Sequence, residues 1–164
     1  MNRDTLPTLR DCIRTAAAEE LLPRFNAVDT AFKADGSIVT EADHAMQDRL
    51  QTELAQHFPE YGLLGEEMTE DEQLAQLQDS SRGVWVLDPL DGTSNFAIGI
   101  PYFAVSLALV EAGRISLGIV YDPCREEYFH AIRDGGAWLN DQPLGSRHPT
   151  TPLARGIAMV DYKR

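Results

Sequence analysis

The chain is poor in cysteine and in positive charge, and it has no long apolar run. Its two cysteines, Cys12 and Cys124, stand apart in the sequence, with no CxxC pair and no Cys/His cluster. This pattern argues against a zinc site and against a disulfide framework. No apolar run approaches the ~18 residues of a membrane-spanning helix, and the polar start, residues 1–4, lacks the apolar core of a signal peptide. We therefore expect a cytoplasmic protein with no membrane partner.

The shortage of basic residues limits the class of partner. The chain has 26 acidic against 14 basic residues and a formal charge of −12. This balance argues against nucleic acid or an anionic membrane surface as a partner. It suits a protein that gathers carboxylates around cations, although acidic surfaces also simply keep many proteins dispersed. With 164 residues, 43% of them hydrophobic, the chain is long enough for one domain with a sizeable core, or for one domain and a piece of another.

The first third of the chain has the periodicity of two amphipathic helices. One is predicted over residues 6–22, ended by Pro23, and the other over residues 41–58, ended by Pro59. Thr40 is the expected N-cap of the second helix, with Asp43 placed for a capping box.

The rest of the chain changes to strand-like runs separated by turns. These runs cover residues 84–87, 101–110, 114–121 and 126–132, which predicts a meander of antiparallel strands. Helices followed by hairpin-linked strands indicate an α+β fold, a layered sandwich with the helix pair packed on one face of an antiparallel sheet. Residues 146–164 have linker composition and then begin another strand-like run. We expect a domain over residues 1–145, and a linker and the start of a truncated second domain over residues 146–164.

One motif carries most of the chemical information. The run from Asp88 to Phe96, Asp-Pro-Leu-Asp-Gly-Thr-Ser-Asn-Phe, directly follows the first predicted strand. Two carboxylates with a free carbonyl between them are hard oxygen ligands of the kind that Mg²⁺ takes, and a glycine turn offers N–H groups to an anion. The haloacid dehalogenase phosphatase box also ends in Asp-Gly-Thr, but it needs its nucleophilic aspartate where this chain has Pro89. The spacing excludes an aspartyl-phosphate mechanism on this motif and favours metal-activated water.

This nine-residue run resembles the signature of the inositol monophosphatase family of Mg²⁺-dependent, lithium-sensitive sugar phosphatases. The segments 101–106, 118–123 and 135–140 are similar to strands that follow the signature in that family, so the resemblance covers essentially the whole chain. It implies a fold of the sugar-phosphatase type, Mg²⁺ as cofactor, a small-molecule phosphate monoester as substrate, and a homodimer.

The resemblance also assigns roles to individual residues. It implies that Glu66, Asp88 and the Leu90 carbonyl hold a first Mg²⁺, and that Asp88 and Asp91 help to hold a second. Thr93 with Glu66 would orient and deprotonate the metal-bound water. Thr93 is also a candidate helix N-cap, and the two roles are compatible. For Asp43 two roles remain open: the helix cap described above, or a ligand of a third, weakly held Mg²⁺. The implied phosphate-binding residues lie in the turn itself: Asp91, Gly92, Thr93 and Ser94.

The chain departs from the family in one respect. A later Trp-Asp-x-Ala-Ala-Gly motif, whose aspartate completes the second metal site, is absent from this sequence. Three functions therefore remain open. The chain belongs to a phosphomonoesterase acting on a sugar or inositol monophosphate, or to a 3′-phosphoadenosine 5′-phosphate or fructose-1,6-bisphosphate phosphatase of the same fold, or it is a non-catalytic metal- or phosphate-binding module.

Overall fold

The computed structural model of the chain describes residues 5–27, 30–32, 38–79 and 83–145. The predicted linker and start of a second domain, residues 146–164, lie outside the described residues. The division of the chain at residue 145 therefore stays a prediction.

The helical layer has two main helices. Helix α1 covers Leu6–Ala16 and continues through a π-helical turn, Ala17–Leu21, and a 3₁₀ turn, Leu22–Arg24. The single helix predicted over residues 6–22 is thus wrong in its last turns. Pro23 explains the change, because proline has no N–H for the α-helical ladder and its ring crowds the preceding turn. Helix α2 covers Glu41–His57, one residue shorter than predicted, and begins with the predicted Thr40 cap.

The strands form one large sheet and one small one. Strands β1 (Thr30–Phe32) and β2 (Ile38–Thr40) pair with each other in antiparallel fashion. The seven-stranded sheet follows chain order. Its strands are β3 (Gly62–Gly65), β4 (Val84–Asp91), β5 (Ala104–Glu111), β6 (Arg114–Asp122), β7 (Glu127–Ile132), β8 (Gly136–Leu139) and β9 (Gln142–Leu144).

The predicted meander is confirmed from β4 onward, where every neighbouring pair is antiparallel. The sheet as a whole is mixed, because β3 pairs with β4 in parallel. Helix α3 (Glu70–Asp79) makes the crossover that a parallel pair requires.

The core lies between the two helices and one face of the sheet. The apolar stripe predicted on α2 is buried along its whole length, from Ala42 to Leu54, and the stripe of α1 is buried from Leu9 to Ala16. Along β5 the buried residues alternate, at Val105, Leu107 and Leu109, so one face of this strand packs against the helices. The α+β class is confirmed. No helix in the described ranges is long and apolar enough to cross a membrane.

Candidate metal and phosphate site

The two aspartates of the motif lie at the end of β4, on either side of a bulge. Asp88 pairs with Ser106 and Asp91 pairs with Ala104, so three steps along β4 match two steps along β5. Side chains alternate along a regular strand, so residues three apart point to opposite faces, and one extra residue brings them back to the same face. Pro89 fits this bulge because it has no N–H to donate to a ladder. The bulge thus directs both carboxylates toward one region.

Glu66 reaches the same region from the neighbouring strand. Gly65, the last residue of β3, is in register with Leu87, and the N–H of Glu66 donates to the Leu87 carbonyl at 3.0 Å. Since β3 and β4 are parallel, their carboxyl ends lie side by side. The side chains of Glu66 and Asp88 line one surface cavity of about 390 Å³.

The electrostatics of Asp88 show that the three carboxylates lie close together. Partial burial, and then the negative charges of Glu66 and Asp91, raise the pKa of Asp88 to about 7. The N–H of Leu90, which donates to Asp88 Oδ1 at 3.1 Å, acts in the opposite direction. Three carboxylates in one place are stable in the ionised state only when a cation lies among them. The residues present therefore fit a divalent cation with oxygen ligands.

Thr93 connects this region to α2 through its hydroxyl group. Its Oγ1 lies 2.9 Å from the Leu90 carbonyl oxygen and 3.1 Å from Asp43 Oδ1, both of which accept hydrogen bonds. Helix α4 covers Thr93–Ala97, its N-cap is Gly92, and it has no side-chain cap. The predicted role of Thr93 as an N-cap is therefore wrong. The hydroxyl faces the carboxylate region instead of closing its own helix.

Asp43 has the capping role that the sequence predicted. Its Oδ2 accepts hydrogen bonds from the N–H of Thr40 at 2.8 Å and from the Thr40 hydroxyl at 2.7 Å, while Oδ1 accepts from Thr93. Asp43 is only 2% exposed. The capping box thus links the start of α2 to the start of α4. The role of Asp43 at a third Mg²⁺ stays a prediction, and both of its oxygen atoms already accept hydrogen bonds.

Gln47 is a contributor that the sequence analysis missed. It lies one helical turn after Asp43 on α2, is buried, and its Oε1 accepts a hydrogen bond from the N–H of Glu67 at 3.0 Å. Gly65 permits this approach, because a Cβ atom at that position would lie 2.1 Å from Gln47 Oε1. Gln47 therefore holds the loop that carries Glu66. The sequence held one signal for this contact: Gln47 is a polar residue four positions after Asp43, on the face of α2 that is buried.

The glycine turn lies beside an open cavity. Gly92 has a φ of +93°, and a Cβ atom there would lie 3.0 Å from the Tyr102 carbonyl oxygen, so glycine is required on two grounds. Asp91 and Gly92 help to line a cavity of about 650 Å³, a size common for small-molecule sites. Ser94 is exposed on the first turn of α4. Two of the four predicted phosphate-binding residues, Asp91 and Gly92, thus border space in which a ligand can lie.

Comparison with known proteins identifies the family. Residues 4–160 match the sequence profile of the inositol monophosphatase family. Inositol-1-monophosphatase of Mesorhizobium japonicum is 40% identical over 117 residues, which are 71% of this chain and 42% of the relative. The Nus factor SuhB of Xylella fastidiosa is 37% identical over 132 residues, 79% of this chain and 46% of the relative.

Solved structures share the same fold. The extragenic suppressor protein SuhB of Bartonella henselae superimposes with a TM-score of 0.76 at 31% identity, covering 85% of this chain and 53% of that one. The Thermotoga maritima IMPase gives a TM-score of 0.75 at 31% identity, covering 86% and 53%. The chain spans about half the length of the relatives it matches. The chain belongs to the inositol monophosphatase family.

Proposed function

We propose that the chain carries the larger part of the active site of a Mg²⁺-dependent phosphomonoesterase that acts on a sugar or inositol monophosphate. The observation that carries this proposal is the convergence of Glu66, Asp88 and Asp91 beside the Gly92–Thr93 turn. The names of relatives support it, since one is an inositol-1-monophosphatase. Relatives of 27% identity have been solved as an inhibitory complex with LiCl, with NADP and Ca²⁺, and with D-inositol-1-phosphate.

The proposed metal ligands are those that the resemblance to the family implies. Glu66, Asp88 and the Leu90 carbonyl would hold a first Mg²⁺, and Asp88 with Asp91 would contribute to a second. When bound, these ions would neutralise the negative charge of the phosphate and activate water for attack. The structure favours this ligand set because the bulge in β4 places Asp88 and Asp91 on the same face and because Asp88 neighbours Glu66.

The hydroxyl of Thr93 is suited to orient water. It carries a single proton and has two acceptors within reach, the Leu90 carbonyl and Asp43 Oδ1. When the Leu90 carbonyl serves as a metal ligand, Asp43 remains as the acceptor. The lone pairs of Thr93 Oγ1 would then be free to accept a hydrogen bond from water, so Thr93 would orient the water molecule and the Glu66 carboxylate would take its proton.

The N–H groups of the glycine turn are suited to bind phosphate. Gly92 and Thr93 lie at the start of α4 next to Asp91, and Ser94 adds an exposed hydroxyl. Bare N–H groups in such a turn bind anions. The ester would therefore lie with its phosphate over this turn, between the N–H groups and the carboxylate-bound cations.

Two alternatives from the sequence remain. A 3′-phosphoadenosine 5′-phosphate or fructose-1,6-bisphosphate phosphatase uses the same fold, but Ser94-Asn95-Phe96 favours the inositol branch. A non-catalytic module is the other alternative, since the aspartate that would complete the second metal site is absent from this chain. The expected homodimer also stays a prediction, which light scattering of the purified chain would test.

The test is phosphate release from inositol 1-phosphate, measured with Mg²⁺ and with or without Li⁺, on this chain and on any longer product of the same gene. We expect Mg²⁺-dependent, Li⁺-inhibited release that Glu66→Gln abolishes. Asp48→Asn, on the exposed side of α2, is the matched control and should keep the activity. If no sugar phosphate is hydrolysed by the longer product, the enzyme proposal is wrong. Activity only in the longer product would show that the site needs the missing carboxylate.

A further inference from the structure

A second group of metal-binding side chains lies between α1 and α2, away from the carboxylates of β4. It consists of Cys12 on α1 and of Glu53 and His57 on α2. The sequence analysis found no Cys/His cluster, because 41 residues separate Cys12 from Glu53. Folding brings the helices together, and the spacing of four residues places Glu53 and His57 on the same face of α2. One ligand atom from each of the three residues lies within 4.8 Å of the other two.

The distances in this cluster are close to those of a tetrahedral metal site. Glu53 Oε2 lies 3.9 Å from Cys12 Sγ and 3.7 Å from His57 Nε2. Zinc–sulfur bonds of about 2.3 Å and zinc–nitrogen or zinc–oxygen bonds of about 2.0 Å place tetrahedral ligand atoms roughly 3.3–3.5 Å apart. For these two pairs of atoms the difference is a few tenths of an ångström, and the ligand atoms of Cys12 and His57 lie within 4.8 Å of each other. The side chains of Glu53 and His57 are partly exposed, so rotation about their side-chain bonds can bring the ligand atoms closer.

Arg49 forms an ion pair with Glu53 beside this cluster. Its Nε lies 3.0 Å from Glu53 Oε1 without a hydrogen bond between the two atoms, and the other oxygen, Oε2, faces both Cys12 and His57. Arg49 also pairs with Glu19 at 3.1 Å, so its charge is shared between two carboxylates.

We propose that Cys12, Glu53 and His57 form a second metal site, for Zn²⁺ or a similar thiolate-binding cation, with a fourth position open to water. Thiolate and imidazole are ligands that zinc accepts and Mg²⁺ does not favour. The three side chains line a surface cavity of about 300 Å³, which gives the cation an entry path. Ten residues of α2, about 15 Å of helix, separate Glu53 from Asp43. The site is therefore distinct from the one on β4, and it does not depend on the proposed function.

The proposal is tested with Co²⁺ as a spectroscopic probe and Zn²⁺ as its competitor, in excess Mg²⁺ so that the carboxylates of β4 are occupied. We expect an equimolar Co²⁺ complex with a thiolate charge-transfer band in the near ultraviolet, which Zn²⁺ removes. Cys12→Ser should abolish the band. Glu53→Gln and His57→Gln should each weaken Zn²⁺ binding by at least about tenfold. Even the mutation of a residue that only hydrogen-bonds to a metal ligand reduces metal affinity by about this factor.

Matched controls separate this site from other ligands. Cys124→Ser, at the other free thiol, and His44→Gln, at an exposed histidine on α2, should leave the band and the affinity unchanged. Asp88→Asn should do the same. Because Cys12 is buried and its replacement can disturb packing, Zn²⁺ should also raise the melting temperature of the wild-type chain and not that of Glu53→Gln. A band that persists in Cys12→Ser, or Zn²⁺ binding unaffected by Glu53→Gln and His57→Gln, would overturn the proposal.

Discussion

Replacing Gly65 with alanine is expected to loosen the loop that carries Glu66. The new Cβ would lie 2.1 Å from Gln47 Oε1 and 2.6 Å from Gln47 Cδ, distances that no real Cβ contact has. Gln47 must therefore move. It is buried, so it cannot rotate into solvent without losing the hydrogen bond that it accepts from the N–H of Glu67.

The magnitude follows from this lost contact. The N–H of Glu67 is part-buried, so the loss of its acceptor costs about 1 kcal/mol, the lower end of the range for a buried group. Forcing an extra methyl group into a packed site costs a further amount of about 1–3 kcal/mol. For a chain of this size, 1 kcal/mol corresponds to a fall of about 2–4 °C in melting temperature. Gly65→Ala should thus lower the melting temperature by about 4 °C or more, and should weaken Mg²⁺ binding because Glu66 is no longer held.

A double-mutant cycle tests the cause. Gln47→Ala alone removes the hydrogen bond, but it also opens the space that the alanine methyl group needs. The double variant should therefore be more stable than the sum of the two single effects predicts. Gly118→Ala is the matched control, because a Cβ at Gly118 meets nothing within 4 Å, and its stability should change little. Effects that add to within about 0.5 kcal/mol would refute the contact between Gly65 and Gln47 as the cause.

Three further predictions concern the carboxylate region. Asp88→Asn should abolish turnover and weaken Mg²⁺ binding in calorimetry, and unchanged affinity would exclude Asp88 as a ligand. Thr93→Ala should slow turnover with little change in Mg²⁺ affinity, whereas Thr93→Ser should keep the rate; equal rates in all three proteins would exclude a role for the hydroxyl. The folded pKa of Asp88, about 7, lies above the value of about 4 for an unfolded aspartate, so the metal-free native state binds the proton more tightly. Its stability should fall as the pH rises from about 4 to 7, less so in Asp88→Asn, and an identical pH dependence in both proteins would contradict the assignment.

The sequence predicted the parts of the fold that local patterns determine. Thr40 and Asp43 form a capping box that any helix start with these residues favours, and the buried stripe of α2 follows from its periodicity. The sequence did not predict the parallel pairing of β3 with β4, because a strand of four residues is too short to show a periodic pattern. The π-helical turn before Pro23 was likewise missed, since proline indicates an end to a helix and not the form of its last turn.

The sequence predicted which residues form the candidate site, but not the hydrogen bonds that connect those residues to the rest of the fold. The motif from Asp88 to Phe96 indicates oxygen ligands beside a glycine turn, and the structure places Glu66 beside them. The hydrogen bond between Thr93 and Asp43 joins residues 50 positions apart, and the contact of Gln47 with the Glu66 loop joins residues 20 apart. Such contacts depend on the packing of α2 against the sheet, which no local pattern records. The same reason explains why the Cys12 cluster was missed.

Helix α2 explains how the carboxylates are held together before any cation binds. Asp43 on its first turn fixes Thr93 on one side of the site, and Gln47 one turn later fixes the Glu66 loop on the other. Because these part-buried hydrogen bonds keep the carboxylates close together, the repulsion between the carboxylates adds to the effect of burial in raising the pKa of Asp88. A divalent cation removes this repulsion without requiring the backbone to rearrange. The affinity for Mg²⁺ should therefore depend on Gln47 as well as on the ligands, and Gln47→Ala should weaken this affinity although it changes none of the ligand residues.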